Sequence, residues 1–302
     1  MRIVPLLLAA ATGAALLAGC GSGGGGDGRP TVVATTTQAA DLVRSVAGDR
    51  VRVRGVLAPN SDPHDYEVRP GDVKALARAT LVVRSGGDLD AWLDGAIDSA
   101  GADAPVVDLL DHAGAEGDDP HWWQDPRRAE TAVEVIGAAL AQADPAGASA
   151  YAANTRRSVL RLRALDAAVR TCLAQIPPAD RVLVTTHDAL GYYARRYGLR
   201  VVGTVIPSLS TQAQASAGDL AELVDTIRRE HVRAIFAESA VNASVEDAIA
   251  QETGARVGRP LWADALGPAG SSGATYEGSI RANTVAIVEG LSGGAKTCSF
   301  PR

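Results

Sequence analysis

Short β-branched runs alternate with amphipathic stretches along the chain from Thr31 onward, and this alternation occurs in two separate blocks. The first block begins with TVVAT and AADLVRSVAG, and the second begins with RVLVTTH and ALGYYARRYG. Parallel strands need a crossover connection, which a helical stretch between two strand runs supplies. The pattern therefore predicts an α/β fold with two (β/α) lobes and mostly parallel sheets.

A long helical segment separates the two blocks. It starts at Pro145, which is compatible with a first helical turn, and it stops at Pro177, because proline cannot continue a helix. Some thirty residues at ~1.5 Å per residue would span ~45 Å, more than the width of one small lobe. We therefore predict a rigid helix that bridges the lobes. The predicted divisions are an N-terminal lobe at 31–145, a connecting helix at 146–177 and a C-terminal lobe at 178–302.

Residues 1–19 have the features of a signal peptide, so we expect the protein to be exported. Arg2 precedes an apolar run that is too short and too often interrupted by Gly, Pro and Thr for a convincing membrane-spanning helix. The run ends in LAGC, which is similar to the lipobox of bacterial lipoproteins and identifies Cys20 as a lipid anchor; an ordinary secreted cysteine is the alternative. Residues 20–30 are rich in glycine and predict a flexible tether.

The net charge and the cysteine content indicate the compartment of the protein and the class of its partners. We expect the protein on the outer face of the cytoplasmic membrane, or in the periplasm, with the lipid anchor as its membrane contact. A net charge of −6 argues against nucleic acid or anionic lipid as a partner and mildly favours a cation. With Cys20 set aside, Cys172 and Cys298 remain, and two cysteines in an oxidising compartment favour one disulfide.

Three histidines and one aspartate follow apolar runs. His64 lies in the loop after VRVRGVL, His121 lies beyond PVVDLL and an Asp/Gly-rich loop, and His187 ends RVLVTTH. Asp264 follows a short apolar run in PLWADALGP in the same way. Ligands of parallel α/β lobes bind beyond the carboxyl ends of the strands. These residues, two from each lobe, are therefore candidates to meet in the cleft between the lobes.

Three imidazoles and one carboxylate form a ligand set that suits Zn²⁺. Nitrogen-rich ligation favours Zn²⁺ over Mn²⁺ in the Irving–Williams order, whereas Ca²⁺ and Mg²⁺ prefer more oxygen ligands. Spacing alone is a weak indication, because no two of these residues have the short separation of a zinc-finger or HExxH motif. Taken singly, each histidine is more often an exposed or hydrogen-bonded residue, and Asp264 is more often a helix N-cap. His112 and His231 are interpreted as surface residues.

Four blocks of the chain resemble one known family. They are DPHDYEVRPGDVKALARATLVV, DPHWWQDP, THDALGYYARRYGL, and IFAESAVN with IAQETGARV. In this order they are similar to blocks of the zinc- and manganese-binding solute-binding proteins of ABC transporters (cluster A-I), over nearly the whole mature chain. The resemblance implies two lobes bridged by one long helix, with a metal in the interlobe cleft. The ligand positions of the family fall on His64, His121, His187 and Asp264.

The resemblance implies transport without catalysis. The expected function is extracytoplasmic capture of Zn²⁺ and its delivery to an ABC permease with its ATPase, by a protein that we expect to be a monomer. A metallochaperone is a further candidate partner. His187 favours zinc, since members with Glu at this position more commonly bind Mn²⁺. A manganese importer component and a metal-binding adhesin or metallochaperone on the same scaffold are the alternatives.

The fourth ligand and the loop before His121 bear on the expected role in zinc transport. A zinc hydrolase is disfavoured, because Asp264 would fill the position that a catalytic zinc keeps open for water. Many zinc-importing members carry a long His-rich loop before the second ligand, whereas DHAGAEGDDP stands at this place here. A metal-sequestering loop is therefore absent or reduced to acidic residues.

Residues beside the candidate ligands have expected positioning roles. Pro63 and Pro120 restrict the backbone that leads into the first two histidines. Trp122, Trp123 and Trp262 either exclude water from the ligands or pack between the lobes. A metal-bound histidine usually donates its second ring N–H to an acceptor, and for each candidate acceptor a helix cap or a surface carboxylate is the alternative. The candidate acceptors are Asp62, Asp119, Asp125, Asp188 and Glu238.

Overall fold

The structure of the protein is a computed structural model that describes residues 28–300. The predicted signal peptide, Cys20 and most of the predicted tether therefore lie outside the described residues, as do residues 301 and 302. Within residues 28–300, no helix combines the length and the apolar character needed to cross a membrane.

Two four-stranded sheets organise the described part of the chain, and every strand pair in them is parallel. The strands are β1 (Thr31–Ala34), β2 (Arg52–Gly55), β3 (Leu81–Arg84), β4 (Val106–Asp108), β5 (Val182–Thr185), β6 (Arg200–Thr204), β7 (Ala234–Phe236) and β8 (Arg256–Val257). The order is β2-β1-β3-β4 in the first sheet and β6-β5-β7-β8 in the second, so the two lobes share one topology. The predicted parallel α/β architecture is confirmed.

Helices flank both sheets. They are α1 (Thr37–Ala47), α2 (Pro70–Leu76), α3 (Leu93–Ala100), α4 (Leu109–Ala113), α5 (Pro126–Ala143), α6 (Ala148–Leu173), α7 (Gly191–Tyr197), α8 (Ala217–Arg229), α9 (Ser244–Thr253) and α10 (Tyr276–Leu291). The central strands β1 and β5 are rich in valine and are buried almost throughout, as expected for strands with helices on both faces. The N-terminal lobe contains the first sheet, and the C-terminal lobe contains the second.

The connecting helix α6 is shorter at both ends than the predicted segment 146–177. Pro145–Gly147 forms a separate 3₁₀ turn, so α6 begins at Ala148. At the other end, the ring of Pro177 would clash with the carbonyl group of Leu173 if the helix continued, and α6 ends at Leu173. The helix still spans ~39 Å at ~1.5 Å per residue, which is enough to join the two lobes.

One apolar core runs through both lobes along α6. This helix packs against α1 and α5 of the N-terminal lobe and against α7 and α10 of the C-terminal lobe. Val83 of the first sheet, Leu165 of α6 and Phe236 of the second sheet belong to the same buried cluster. Separate smaller clusters around Val82 and Ile235 cover the opposite faces of the two sheets. A densely packed core that is common to both lobes opposes a wide rotation of one against the other.

Asp166 ties α6 to the C-terminal lobe. The Arg196 guanidinium donates two hydrogen bonds to its carboxylate, at 2.9 and 2.7 Å, and the Tyr197 hydroxyl donates a third at 3.1 Å. Burial alone would raise the pKa of Asp166, but the hydrogen bonds and the charge of Arg196 outweigh burial and hold this pKa below its ordinary value. The carboxylate is therefore ionised at neutral pH and fixes α7 on the connecting helix.

The fourth strand is shorter than the predicted run PVVDLL. The Asp108 carboxylate accepts a hydrogen bond from the backbone N–H of Leu110 at 3.0 Å and caps α4, which removes the two leucines from the strand. His112 consequently lies in α4 rather than in a Gly/Asp loop. Its side chain is exposed, as is that of His231 after α8.

A disulfide holds the C-terminal tail on the connecting helix. Cys172, near the end of α6, is bonded to Cys298, with their Cα atoms 5.7 Å apart. The Gln175 side chain also donates a hydrogen bond to the carbonyl group of Thr297 at 3.3 Å. The predicted cysteine pair is thus present, and it closes a loop with a sequence separation of 126.

We expect the double variant Cys172→Ser/Cys298→Ser to lose up to ~5 kcal/mol of unfolding free energy, because the open chain gains the entropy of a long loop. Urea denaturation followed by circular dichroism measures this loss. Wild-type protein treated with a reductant is the control and should match the double variant. Equal unfolding free energies for the oxidised wild type and the double variant would contradict a stabilising role of the bond.

Candidate metal centre

The three candidate histidines lie in short segments that lead into the interlobe cleft. His64 lies in a 3₁₀ turn (Pro63–Asp65) after β2, and its backbone N–H donates to Asp62 Oδ1 at 2.9 Å. His121 directly precedes a second 3₁₀ turn, Trp122–Gln124. His187 follows the last residue of β5 by two positions. Each imidazole therefore starts from a locally fixed backbone.

Asp264 is placed by an extension of the second sheet rather than by a full strand. Leu261 forms an isolated parallel bridge with Glu238, just beyond β7. The backbone N–H of Leu261 donates to the Ala237 carbonyl group at 2.9 Å, and the N–H of Ser239 donates to the Leu261 carbonyl group at 2.9 Å. Asp264 caps no helix, because neither of its carboxylate oxygens accepts a hydrogen bond from the described residues.

Four side chains, two from each lobe, surround one point in the cleft. One ligand atom from each of His64, His121, His187 and Asp264 lies within 4.8 Å of the others. Nε2 of His187 lies 3.1 Å from Asp264 Oδ2 and 3.3 Å from Nε2 of His121. Nε2 of His64 lies 3.3 Å from Asp264 Oδ2, and Nε2 of His121 lies 3.5 Å from Asp264 Oδ1.

These separations suit a small cation at the centre. Zn²⁺ binds imidazole nitrogen at about 2.0–2.1 Å, and a tetrahedron with bonds of this length has edges of about 3.3–3.4 Å. The shortest approaches, from 3.1 to 3.5 Å, lie close to such an edge. All four ligand atoms lie within 4.8 Å of one another, so a bound ion would need to draw the ligands only slightly together.

Several buried polar atoms of the cluster have no hydrogen-bond partner. His121, His187 and Asp264 are buried, and the side chain of His64 is only 5 % exposed. Three buried atoms have no hydrogen-bond partner within the described residues: Nε2 of His64 and the two carboxylate oxygens of Asp264. Burying polar and charged atoms without partners is costly. A divalent cation fits this cluster, because it satisfies all three atoms at once.

Two carboxylates orient two of the imidazole rings. Asp119 Oδ1 lies 2.8 Å from Nδ1 of His121, and Glu238 Oε1 lies 2.6 Å from Nδ1 of His187. When each ring donates its Nδ1–H to the carboxylate, the lone pair of Nε2 points at the centre of the cluster. The two Nε2 atoms lie 3.3 Å apart, so their lone pairs repel unless a proton or a metal ion lies between them. The orientation thus prepares the rings for a metal.

The charges in the cluster are strongly coupled. Burial alone would lower the pKa of His187, but the nearby charge of Asp264 and the contact with Glu238 raise it to about 11. Burial would raise the pKa of Asp264, but His187 and His121 hold it well below its usual range. Burial raises the pKa of Glu238. In the absence of a metal, a proton on His187 therefore partly compensates the buried carboxylates, and an incoming metal ion has to displace it.

The other three candidate acceptors have different partners. Asp62 accepts from the backbone N–H of His64 and from the Thr211 hydroxyl, at 2.9 and 2.6 Å, so it holds the turn rather than the imidazole ring. Asp125 caps α5, and Asp188 is exposed. The helix-cap and surface alternatives therefore describe these last two residues, because local backbone geometry and solvent, not the cleft, determine where their carboxylates lie.

The side chains after His121 join the two lobes behind the cluster. Nε1 of Trp123 and Nε2 of Gln124 donate to the carbonyl group of Ala263, at 2.9 and 2.8 Å, in the segment that carries Asp264. The ring centroid of Trp123 lies 5.4 Å from that of His121. Gln124 is not among the residues predicted from the sequence. Its partner is 139 positions away, and only its position after the DPHWW motif hinted at a role.

The other two tryptophans that flank the candidate ligands in sequence stabilise their own lobes. Trp122 is buried and donates from Nε1 to the Ser85 carbonyl group at 3.0 Å, within the N-terminal lobe. Trp262 is partly exposed, and a Cβ atom at Gly267 or Gly273 would come within 2.6 and 2.4 Å of its ring. These two glycines therefore allow the loop after Asp264 to pack tightly on the indole.

The fold and the sequence match proteins of one family. The profile of the family described as "Zinc-uptake complex component A periplasmic" (ZnuA) matches residues 32–290. The chain belongs to this family. It is 35 % identical over 275 residues to the manganese-binding lipoprotein MntA of Bacillus subtilis, with 86 % of this chain and 89 % of that protein covered.

A second relative has a solved structure. The zinc-binding protein TroA of Treponema pallidum is 34 % identical over 278 residues, with 87 % of this chain and 89 % of that protein covered. The structure of periplasmic zinc-binding TroA superposes with a TM-score of 0.82 at 31 % identity, with 87 % of this chain and 99 % of that chain covered. The predicted fold, with two lobes joined by one long helix, agrees with this match.

Membership of the ZnuA family fixes the general role of the chain. It is a metal-binding substrate-binding protein of an ABC transporter. Members of the family work with a permease and an ATPase, and they are not themselves enzymes. Two other relatives are described as metal ABC transporter substrate-binding lipoproteins, and MntA is described as a manganese-binding lipoprotein. Divalent metal binding agrees with the His₃Asp cluster.

We expect Glu238→Gln to weaken metal binding about 10–100-fold, because a neutral amide no longer orients the His187 ring as a carboxylate does. Asp188→Asn is the matched control: this residue is next to His187 in sequence but is exposed, so its variant should bind metal as the wild type does. Titration against a competing chelator measures both affinities. Wild-type affinity in the Glu238→Gln variant would contradict the orienting role.

Proposed function

We propose that the protein captures Zn²⁺ outside the cytoplasm and delivers it to an ABC permease, with His64, His121, His187 and Asp264 as the ligands. The observation that carries this proposal is the buried cluster whose unpartnered nitrogen and oxygen atoms surround a single point. Three imidazoles and one carboxylate match the ligand types and the coordination number that Zn²⁺ prefers.

The chemistry of the ligands supports zinc over manganese. The cluster offers three nitrogen atoms and one carboxylate group, whereas Mn²⁺ prefers sites rich in oxygen. The names of the relatives include both metals, since TroA is described as zinc-binding and MntA as manganese-binding. The 35 % identity to a manganese-binding relative supports a manganese importer component as the second candidate.

Retention of the ion is favoured by contacts that hold the lobes together around the cleft. The Asn60 side chain donates to the Ser239 carbonyl group at 3.0 Å, and its backbone N–H donates to the Leu266 carbonyl group at 2.8 Å. The N–H of Leu266 in turn donates to the Thr37 hydroxyl at 2.8 Å. Because the lobes also share their core, we propose that the permease assists release by moving the loops that carry the ligands.

We propose the following organisation of the mature protein. Removal of the signal peptide (1–19) leaves Cys20 as the lipid-bearing N-terminus, and residues 20–30 tether the domain to the outer face of the cytoplasmic membrane. The functional units are then the N-terminal lobe (31–145), the connecting segment (146–177) and the C-terminal lobe (178–302). The protein acts as a monomer, and a metallochaperone is a candidate donor of the ion.

Competition between the two ions tests the choice of metal. Metal-free protein titrated with Zn²⁺ in the presence of Mn²⁺ is expected to retain Zn²⁺, because the imidazole-rich ligand set favours it. Elemental analysis after removal of free metal measures the bound ion. Retention of Mn²⁺ from an equimolar mixture would overturn the zinc assignment and favour the second candidate.

The ligand set is tested by His187→Ala. Loss of one of four ligands is expected to lower zinc affinity by more than 100-fold, beyond the effect of removing an orienting group. The metal-free variant should still unfold cooperatively, because the shared core is unchanged. His231→Ala, at an exposed histidine of the same lobe, is the matched control. Unchanged zinc affinity in His187→Ala would remove this residue from the ligand set.

A further inference from the structure

The acidic loop before His121 is held between the two lobes by Glu116. One oxygen of the Glu116 carboxylate contacts the Arg128 guanidinium of α5, in the N-terminal lobe. The other oxygen lies 2.9 Å from Nε of Arg195 of α7, in the C-terminal lobe. Arg128 also donates to the backbone carbonyl groups of Ala113 and Gly114, at the start of the loop. One carboxylate thus joins a cation from each lobe.

Tyr192 of α7 fastens the same loop a second time. Its hydroxyl accepts a hydrogen bond from the backbone N–H of Glu116 at 2.9 Å and donates one to the Asp119 carbonyl group at 3.0 Å. Its ring is buried and contacts two guanidinium groups, with Arg128 at 4.3 Å and Arg195 at 4.8 Å from the ring centroid. A side chain of the C-terminal lobe therefore bridges both ends of a loop that belongs to the N-terminal lobe.

The loop leads directly to the metal cluster. Asp119 Oδ1 contacts both the backbone N–H and the ring Nδ1 of His121, at 3.0 and 2.8 Å. Its other oxygen lies 3.7 Å from Arg195. A Cβ atom at Gly191 would come within 3.0 Å of Asp119 Oδ2, so glycine at the start of α7 allows the two lobes to approach here. Any movement of the loop away from α7 therefore moves the carboxylate that orients His121.

We propose that Glu116, Arg128, Tyr192 and Arg195 form an interlobe latch that holds the His121 loop closed and slows the release of the bound metal. The proposal rests on the proposed function, since it concerns the retention of that metal. None of the four residues contacts the point enclosed by the ligands, so they are positioning residues. In this interpretation Glu116 does not gather metal; its charge is engaged by two arginines.

The contacts of the latch are weak enough for a partner protein to disrupt them. Glu116 and Arg195 are each about half exposed, at 48 % and 51 %, and ion pairs of this kind are individually weak and are screened by salt. Tyr192, by contrast, is buried and keeps the contact in one geometry. A contact of this mixed character keeps the loop in place and opens without unfolding either lobe.

The test is the rate at which zinc dissociates from the full-length protein. Zinc-loaded protein is mixed with an excess of a chromogenic chelator, and the release of zinc is followed in time. Glu116→Gln and Tyr192→Phe each remove one part of the latch with little change in shape. We expect each to raise the dissociation rate roughly threefold to tenfold, because Glu116→Gln weakens two partly exposed ion pairs and Tyr192→Phe removes two hydrogen bonds, whose net contributions are of similar size. High salt should bring the wild type towards Glu116→Gln.

Two controls separate a latch from a general loss of stability. Glu252→Gln removes an exposed carboxylate that lies 3.3 Å from Arg228, far from the cluster, and should leave the dissociation rate unchanged. The double variant Glu116→Gln/Arg195→Gln should release zinc more slowly than the product of the two single-variant effects predicts, because Glu116 and Arg195 share one ion pair. The melting temperatures of the metal-free variants should stay close to that of the wild type.

Each result has a defined meaning. Wild-type dissociation rates in both Glu116→Gln and Tyr192→Phe would overturn the latch while leaving the proposed function intact. Faster dissociation accompanied by an equal loss of stability in the metal-free protein would also overturn it, since a structural defect would then explain the rates. Failure of the wild-type protein to bind zinc would overturn the proposed function, and the latch with it.

Discussion

The metal cluster depends on the Asp264 carboxylate, which is buried, ionised and surrounded by three imidazoles, with no Arg or Lys side chain in an ion pair with it among the described residues. A charge in this position needs a compensating cation, because desolvation is otherwise too costly for a marginally stable fold. The surrounding imidazoles supply that compensation only in part, through a proton on His187. The metal-free protein is therefore electrostatically incomplete, and this incompleteness favours binding of a divalent ion.

The shared core determines what kind of motion can follow metal binding. Leu165 of α6 belongs to one buried cluster with residues of both sheets, and Asp166 joins the same helix to Arg196 of α7. Separation of the lobes as rigid bodies would expose this core. The ligand-bearing segments are anchored less firmly, because the His64 turn and the loop before His121 lie outside the sheets. Local loop movement is therefore the less costly route for the ion.

The fold was predictable from the sequence because the alternation of strand and helix runs is a local pattern, and proline defines the ends of α6 within a few residues. The meeting of the four candidate ligands could also be predicted in outline, since strand ends of parallel sheets face a common cleft. The partners of particular carboxylates could not. Asp119 and Asp125 both flank the HWWQ segment, yet the first contacts the His121 ring and the second caps α5. Only the packing of α5 and α7 distinguishes them.

Each lobe contributes two of the four cluster residues, and this has a mechanical consequence. An ion bound by all four acts as a bridge between the lobes, so part of its binding free energy is spent on holding the cleft closed. The same closure is favoured by contacts that do not touch the ion, such as those of Asn60 and Glu116 across the cleft. Under the proposed function, a permease that disrupts such contacts would lower metal affinity without competing for the ligands. Capture and release can then share one site, because affinity depends on the contacts around it as well as on the ligands themselves.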